Sequence, residues 1–413
     1  MSGEEKARFE IKARSLFTPA APISKGELFN GRLPQIGRII KAVFDAGRHV
    51  ILFGERGVGK TSLGNALPHL LKAGDSIKVI RVQSSPNDDY EALWGKVFSE
   101  IWVKVPGANH GNYGNEETVK RTMLDIYKAS KKQVTPNEVV NVMRGFAEKM
   151  FFVTIFDEYD CIQNKEARKI MAHTIKALSD AGVNVTIVLI GVADDINALV
   201  EDHQSVNRNI EEIRMPRMNK GEMEEVLDKR LPTLGMAIEN DAKNMIVTLS
   251  RGLPEYVHIL GRDSVLDATS KDQKIITIQN VREAVKAMLQ YSDQSASNSY
   301  RKAVASNKPN ALYKKVILAC AMAEVDGEGQ FNPAGIVHPL RKISGRGDID
   351  IANFQPHLSK FCSNERGNIL ERRGRPRAYK YRFREPKMQP FIIMKGIKDE
   401  TIVERDALLI LQR

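Results

Sequence analysis

HVILFGERGVGKTSLGNAL (residues 49–67) is the stretch of this sequence that decides the fold. Its apolar run 50–53 is typical of a buried β-strand and ends at Gly54. The eight residues 54–61 match the pattern G-x-x-x-x-G-K-[ST] without a mismatch. Glycines at these positions let backbone N–H groups turn inward around phosphates, and the helix that follows directs its N-terminus at the negative charge. The stretch therefore predicts a phosphate-binding loop, or P-loop, between a strand and a helix.

Two side chains at the end of the P-loop have predicted roles in chemistry. Lys60 is expected to reach the β- and γ-phosphates of a nucleoside triphosphate, and Thr61 is expected to bind Mg²⁺ through its hydroxyl. Lys60 therefore counts among the predicted catalytic residues. The residues predicted to bind the nucleotide are Gly54, Glu55, Arg56, Gly57, Val58, Gly59, Lys60, Thr61 and Ser62.

A second apolar strand ends in two acidic residues. MFFVTIFDEYD (150–160) is hydrophobic up to Asp157 and Glu158. An acidic pair alone is common at the end of a sheet, but in a chain with a P-loop it predicts a catalytic role. Asp157 is expected to hold the Mg²⁺ shell, and Glu158 is expected to polarise the attacking water.

A third apolar run, NVTIVLIGVADDI (184–196), ends in Asp194 and Asp195. A polar residue at this place in a P-loop sheet can sense the γ-phosphate, but an aspartate there is equally typical of a helix N-cap. Both interpretations of Asp194 stay open. Because strands and helices alternate along this part of the chain, the sequence predicts an α/β fold with a parallel, three-layer sheet.

The composition of the 413-residue chain indicates a folded cytoplasmic protein with several domains. Hydrophobic residues make up 42% of it, which is enough for real cores. The sequence has no apolar run of about 18 residues and no apolar signal core at its start, so no membrane partner is expected. Cys161, Cys320 and Cys362 lie far apart, which argues against a disulfide framework and against a zinc site.

The net charge of +11 is concentrated at one end of the chain. Residues 301–413 contain 22 Lys and Arg against 12 Asp and Glu, a balance of +10, whereas the rest contains 40 against 39. Such asymmetry predicts a C-terminal module with an anionic partner, although a solvated basic surface is the simpler alternative.

The pattern of this C-terminal module predicts three helices and a hairpin. The helices are expected within 310–325, 331–343 and 348–367, with Asn332 as cap and Pro333 as first residue of the second helix and Gly367 near the stop of the third. The strands are expected within 367–374 and 377–385. This order of elements is the winged-helix plan.

The hairpin carries alternating aromatic and cationic residues. In RAYKYRFRE (377–385), strand alternation places Tyr379, Tyr381 and Phe383 on one face, and this face is expected to pack on the third helix. The arginines of the turn are then free to reach a phosphate backbone or a minor groove. The residues of the hairpin that are predicted to bind DNA are Arg372, Arg373, Arg375, Arg377, Lys380 and Arg382. On the third helix, the predicted contacts are Lys360 and, with it, Asn353, Gln355 and His357. A protein-binding surface is the alternative.

Several spaced segments together resemble the AAA+ ATPases of the replication-initiator class, which comprises origin-recognition and helicase-loader proteins and their archaeal relatives. Besides the P-loop, they are LFNGR (28–32), DEYD (157–160), IGVADD (190–195) and HQSVNRNIEEIRMPRMNKGEMEEVLDKR (203–230). The resemblance spans residues from about 25 to about 390 and implies an ATPase that uses ATP and Mg²⁺.

The resemblance also implies roles for single residues. Arg208 matches the arginine finger, which reaches the γ-phosphate of a neighbouring subunit in an ATP-bridged homo-oligomer. An ion pair with Glu211 or Glu212 is the structural alternative for Arg208. Asp194 matches the sensor position.

One position departs from the family pattern. SRGLPEYVHILGRD (250–263) matches the lid motif that normally places an arginine on the phosphates, but Glu255 stands at that position. Either Arg262 or His258 contacts the phosphates in place of the missing arginine, or the lid does not contact the nucleotide. With a glutamate at this position, hydrolysis of the nucleotide is expected to be slow, and the protein is expected to act as a switch rather than as a motor.

The resemblance and the patterns together give a domain plan. Apolar residues at helical spacing predict a small all-helical lid, with Asn219 and Glu222 as a capping box at its start, and a serine-rich stretch predicts a linker before the last domain. The predicted domains are an N-terminal extension (1–27), an AAA+ core (28–215), the lid (216–295), the linker (296–310) and a winged-helix DNA-binding domain (311–413).

Two functions fit this plan. The first is an ATP-dependent switch that binds double-stranded DNA and recruits or loads a protein partner, with association with the nucleoid as a consequence. The second is a STAND-like signalling NTPase whose C-terminal module binds protein, for example in defence or in the control of mobile elements. A processive motor and a metabolic kinase fit less well, because of Glu255 and because the basic module would have no role.

Overall fold

The structure is a computed structural model that describes residues 3–19, 31–71, 76–106, 118–130, 133–148, 150–192, 207–291, 294–307 and 311–412. By its internal contacts the chain divides into two compact units. The sheet unit contains residues 23–54 and 60–215, and the helical unit contains residues 1–22, 55–59 and 216–413. The middle of the P-loop therefore belongs to the helical unit and both ends of the loop to the sheet unit. No helix of the described residues is long and apolar enough to cross a membrane.

The sheet unit alternates strands and helices, as the sequence predicts. In chain order after the first helix, α1 (Gly3–Leu16), its elements are α2 (Leu33–Phe44), β1 (His49–Phe53), α3 (Lys60–Leu70), β2 (Ile77–Gln83), α4 (Tyr90–Ser99), β3 (Trp102–Pro106), β4 (Thr118–Thr122), α5 (Met123–Ser130), α6 (Pro136–Ala147), β5 (Phe151–Asp157), α7 (Lys165–Asp180), β6 (Val185–Gly191) and β7 (Ile210–Arg214).

Five of the described strands form one parallel sheet in the order β2-β5-β6-β1-β7. All seven residues of β6 are buried, as expected for a parallel strand covered on both faces. Because β6 lies between β1 and β5, the P-loop strand and the acidic strand are separated by the strand whose end carries the predicted sensor. Asp194 and Asp195 themselves lie outside the described residues. The predicted parallel sheet is confirmed.

Aromatic residues fill the core on one side of the sheet. Trp94 and Phe98 of α4 are fully buried, and the ring of Trp94 lies 5.6 Å from that of Phe156 in β5. Beyond this core, β3 and β4 form a separate antiparallel hairpin in which Trp102 is exposed.

The helical unit combines α1 with the elements that follow β7. Its elements are α1, α8 (Lys220–Arg230), β8 (Ala237–Ile238), α9 (Asn240–Ser250), α10 (Pro254–Ser270), β9 (Ile275–Ile276), α11 (Ile278–Gln290), α12 (Gln294–Val304), α13 (Tyr313–Met322), α14 (Pro333–Ser344), α15 (Ile351–Phe361), β10 (Leu370–Arg373), β11 (Lys380–Phe383), α16 (Met388–Lys398) and α17 (Glu404–Leu411).

Local sequence signals start several of these helices. Asn219 and Glu222 form both hydrogen bonds of the predicted capping box at α8. Asn332 caps α14 by accepting a hydrogen bond from the Gly335 N–H at 2.8 Å, with Pro333 first in the helix, as predicted. The third predicted helix, α15, ends at Phe361, six residues before the glycine that the sequence indicated as its stop.

The predicted linker contains a packed helix. Within residues 296–310, α12 buries Ala296, Tyr300 and Ala303, and the Tyr300 ring lies 6.0 Å from the Phe391 ring of α16. Serine-rich composition suggested a plain connection, but small residues at helical spacing give this segment an apolar face.

Three helices and a hairpin follow in the predicted order. β10 and β11 are antiparallel, with Arg373 opposite Lys380. Tyr381 and Phe383 are buried, and Tyr381 accepts a hydrogen bond from Gln355 of α15 at 3.2 Å. Tyr379 precedes the strand and is only half-buried, so two of the three aromatic residues form the predicted inward face.

Candidate functional site

The glycines of the P-loop have backbone conformations that other residues rarely adopt. The φ angles of Gly54, Gly57 and Gly59 are +152°, +84° and +98°. At Gly54 a Cβ atom would lie 2.4 Å from the carbonyl oxygen of Met215. Lys60, buried at the start of α3, donates a hydrogen bond from Nζ to the Gly54 carbonyl at 2.9 Å. The loop thus has the closed turn expected of a phosphate cradle.

The sheet unit brings the two predicted Mg²⁺ ligands together. The Thr61 hydroxyl donates to Oδ1 of Asp157 at 3.4 Å, and the same oxygen accepts the Glu158 N–H at 2.9 Å. The Asp157 side chain is only 1% exposed. A hydroxyl and a carboxylate are the hard oxygen donors that Mg²⁺ takes from proteins when phosphates and water complete its shell. Thr61 and Asp157 therefore fit Mg²⁺ that arrives with a nucleotide.

Glu158 follows the acidic strand in an unusual conformation. Its φ angle of 54° is left-handed, which is uncommon for a residue with a side chain and recurs at functional sites. Gln83 of the neighbouring strand donates to its carboxylate at 2.7 Å, and the side chain is exposed. Its role towards an attacking water stays a prediction.

Arg81 is a site residue that the sequence analysis missed. It lies on β2, and its guanidinium donates from Nη2 to Oδ2 of Asp157. The signal was an arginine inside the apolar strand IKVIRVQ (77–83), but only strand pairing brings it to the acidic strand.

Arg208, the predicted arginine finger, lies next to β7. Its side chain is 72% exposed, and its guanidinium is 3.8 Å from the Asp180 carboxylate. The structural alternative was an ion pair with Glu211 or Glu212, but the acidic residue beside Arg208 is Asp180, and Glu211 pairs with Arg38 at 2.7 Å. Arg208 is thus presented at the surface, where a partner subunit would need it.

The middle of the P-loop carries a buried ion pair. Arg217 donates two hydrogen bonds to the Glu55 carboxylate, at 2.7 and 2.9 Å, and both side chains are less than 10% exposed. The same guanidinium donates from Nη1 to Oε1 of Gln389 in α16 at 2.6 Å, and Gln389 in turn donates to the Ala321 carbonyl of α13 at 2.9 Å. One arginine thus joins a P-loop residue to the C-terminal helices.

The two residues that could replace the missing lid arginine, Arg262 and His258, both have contacts within the helical unit. Arg262 pairs with its neighbour Asp263 at 2.7 Å. His258 is buried and accepts the Thr18 N–H at 3.2 Å, and burial lowers its pKa to about 3, so its ring is neutral.

A cavity of about 310 Å³ lies beside the middle of the P-loop. Arg56 and Gly57 line one side of it, Glu255 of the lid lines another, and Lys387, just before α16, lines a third. Burial raises the pKa of Glu255, and the nearby ammonium of Lys387 opposes this shift. The residue at the lid position therefore faces the C-terminal segment.

The predicted DNA-binding residues divide into two groups. Arg373 and Arg382 both bind Glu371, at 2.8 and 3.0 Å, and Lys380 binds Asp326 at 2.8 Å. These carboxylates offset the charge of three cations. The remaining four cations are exposed, and they are Arg372, Arg375, Arg377 and Lys360. The Arg372 guanidinium stacks on the Tyr379 ring.

The other candidates on α15 have structural contacts. Asn353 accepts the Asp350 N–H at 2.8 Å in the capping box of the helix, and the His357 ring packs against Tyr313 at 4.8 Å. Gln355 bonds to Tyr381, as described above. The exposed basic surface is therefore centred on the turn of the hairpin rather than on the helix.

The comparisons with known proteins agree with this geometry. The model of the family described as novel STAND NTPase 1 matches residues 22–300, more than half of the chain. The chain belongs to this family. Membership of an NTPase family is what the P-loop, the acidic strand and the parallel sheet predict together.

Solved structures show the same fold at low sequence identity. The STAND NTPase is similar to a Walker-type ATPase of Pyrococcus abyssi, with a TM-score of 0.52 and 14% identity over 91% of this chain and 99% of that chain. It is also similar to Cdc6p of Pyrobaculum aerophilum (TM-score 0.46, 13% identity, 94% and 99% covered) and to ORC1 of Aeropyrum pernix in complex with DNA (0.47, 14%, 95% and 97%). No curated protein sequence matches the chain.

These findings confirm the coarse predictions. The chain is an NTPase by family, and it shares its fold with a Walker-type ATPase. The domain boundaries and the roles of single site residues stay predictions.

Proposed function

We propose that this STAND NTPase is a cytoplasmic switch in which the bound nucleotide controls the C-terminal module. The observation that carries the proposal is Arg217, which binds Glu55 in the P-loop and Gln389 in α16 at the same time. ATP, with Mg²⁺ held by Thr61 and Asp157, enters between backbone N–H groups of the loop. A change at Glu55 is then passed to α16 through one rigid guanidinium.

In the proposed cycle, the module is a winged helix that binds double-stranded DNA. Arg372, Arg375 and Arg377 are exposed around a single turn, which suits contacts to phosphates. ATP bridges two subunits, Arg208 completes the neighbour's site, and the assembly recruits or loads a protein partner.

A second candidate is a signalling NTPase whose module binds protein. Two observations favour it: the family is that of STAND NTPases, and three of the predicted DNA-binding cations already bind Glu371 or Asp326. Prior pairing weakens the attraction of a surface for phosphate.

Fluorescence anisotropy with labelled duplex DNA separates the two candidates. The experiment compares ATP, ADP and no nucleotide across a salt series. It uses the wild type, Lys60→Ala, and a triple alanine variant of Arg372, Arg375 and Arg377. A triple variant of Arg373, Lys380 and Arg382 is the matched control, because it removes the same charge from paired positions.

If the module binds DNA, the measured affinity is expected to depend on ATP and to fall steeply as the salt concentration rises, because neutralisation of phosphates releases counterions. It is lost in Lys60→Ala and in the first triple variant and is weakened less in the second. If the affinity for DNA does not depend on nucleotide, salt or these arginines, the DNA-binding candidate is wrong and the protein-binding candidate remains.

A further inference from the structure

Arg81 lies beside the proposed Mg²⁺ ligand, and nothing in the proposed switch uses it. Its Nη2 donates to Oδ2 of Asp157, while Oδ1 of the same carboxylate faces the Thr61 hydroxyl and the Glu158 N–H. Asp157 is almost fully buried, and a buried carboxylate without a cationic partner is costly. Arg81 therefore fixes the orientation of Asp157 and balances its charge.

Packing alone does not account for an arginine at this place. Its Nε is buried, and no described residue accepts a hydrogen bond from it, which costs free energy. The side chain passes over Gly64 of α3, where a Cβ would lie 3.7 Å from Nε and 2.9 Å from Cδ1 of Ile190. A glycine one turn after Thr61 thus leaves room for the guanidinium at the metal end of the site.

We infer that Arg81 makes Mg²⁺ binding depend on the nucleotide. This inference rests on the proposed nucleotide site. Arg81 already neutralises Asp157, and Lys60 adds a second positive charge at the P-loop. A divalent cation alone is therefore repelled, and it binds only when a triphosphate brings its own negative charge. Arg81 is a positioning residue that acts on the metal through Asp157.

Thermal unfolding without nucleotide tests the inference directly. Both tryptophans, Trp94 and Trp102, lie in the sheet unit, so tryptophan fluorescence follows the unit that contains the site. Millimolar Mg²⁺ is expected to leave the melting temperature of the wild type unchanged and to raise that of Arg81→Gln. Arg81→Lys, which keeps the charge, is expected to behave as the wild type. Arg38→Gln removes an arginine that pairs with Glu211 and serves as the control.

Binding of a fluorescent ATP analogue gives a second readout. The Mg²⁺ concentration that supports half of the binding is expected to fall at least about tenfold in Arg81→Gln and to stay unchanged in Arg81→Lys. Stabilisation of the wild type by Mg²⁺ alone would overturn the inference, and so would an unchanged Mg²⁺ requirement in Arg81→Gln.

Two further outcomes are informative. If Arg81→Gln does not fold, Arg81→Met replaces it as the variant without the charge, with the same expected stabilisation by Mg²⁺ alone and the same lower Mg²⁺ requirement. If the wild type binds no ATP analogue at any Mg²⁺ concentration, the proposed function fails, whereas the titration without nucleotide still reports on Arg81.

Discussion

His49, at the start of β1, has both ring nitrogens engaged inside the sheet unit. Nδ1 accepts the Ile187 N–H at 3.0 Å, and Nε2 lies 3.1 Å from the Ser179 hydroxyl. Burial lowers the pKa of His49 to about 3, so the folded protein keeps the ring neutral. The unfolded chain takes up a proton below about pH 6.5, and the stability that His49 contributes at neutral pH is lost as the pH falls towards 3.

His49→Gln is therefore expected to flatten the dependence of stability on pH. Between pH 7.5 and pH 5, the wild type should lose about 2 kcal/mol of unfolding free energy that the variant keeps, because an amide has no proton to gain. Urea unfolding followed by tryptophan fluorescence measures the difference. His69→Gln, at an exposed histidine of α3 in the same unit, is the matched control, and parallel pH profiles for wild type and His49→Gln would contradict the prediction.

Single site residues could be predicted from the sequence where the chemistry of the ligand alone determines which residue type must stand at a position. The P-loop glycines and the acidic pair follow from the needs of a phosphate and a cation, and Thr61 and Asp157 do meet. Arg81 was missed because its partner is 76 residues away and depends on how β2 pairs with β5. The ion pair between Glu55 and Arg217 was missed for the same reason, because no pattern in the P-loop predicts a contact with a residue 162 positions later in the chain.

At the scale of elements, α13 and α16 approach closely at Gly396. A Cβ on this residue would lie 2.7 and 2.8 Å from the two methyl carbons of Leu318, which is itself buried in α13. The close approach also lets Gln389 of α16 reach the Ala321 carbonyl. The glycine thus sets the position of the helix that receives Arg217.

Gly396→Ala is expected to destabilise the helical unit by about 1–3 kcal/mol, the usual cost of overpacking. Gly145→Ala is the matched control, because Gly145 is exposed in the last turn of α6 and a Cβ there meets nothing within 4 Å. That change should stabilise by about 0.5–1 kcal/mol through helix propensity. Thermal unfolding followed by circular dichroism measures both, and equal effects of the two changes would refute the packing argument.

Elements were predicted best where a cap or a strand pattern starts them, as at Asn219 and Asn332. The segment predicted as a linker was not expected to contain a helix, because its serine-rich composition is typical of a connection. Its helix, α12, is stabilised instead by tertiary contacts such as that of Tyr300 with Phe391, which composition does not reveal.

At the scale of the whole molecule, coupling between nucleotide and module is expected to depend on Arg217. In the wild type, an ATP analogue should change the hydrogen exchange of α16 by at least about tenfold, because the guanidinium ties Gln389 to the P-loop. Arg217→Met alone would take the two Arg217 hydrogen bonds away from the buried Glu55 carboxylate, so the test variant is Glu55→Gln combined with Arg217→Met.

This double variant should bind the analogue and yet lose the change in α16. Arg282→Met is the control, since Arg282 binds Glu404 of α17 at 2.8 Å in the same unit without touching the P-loop. It should keep the response of the wild type. If the double variant responds as strongly as the wild type, the switch does not run through Arg217, and the cavity between Arg56, Glu255 and Lys387 becomes the next route to test.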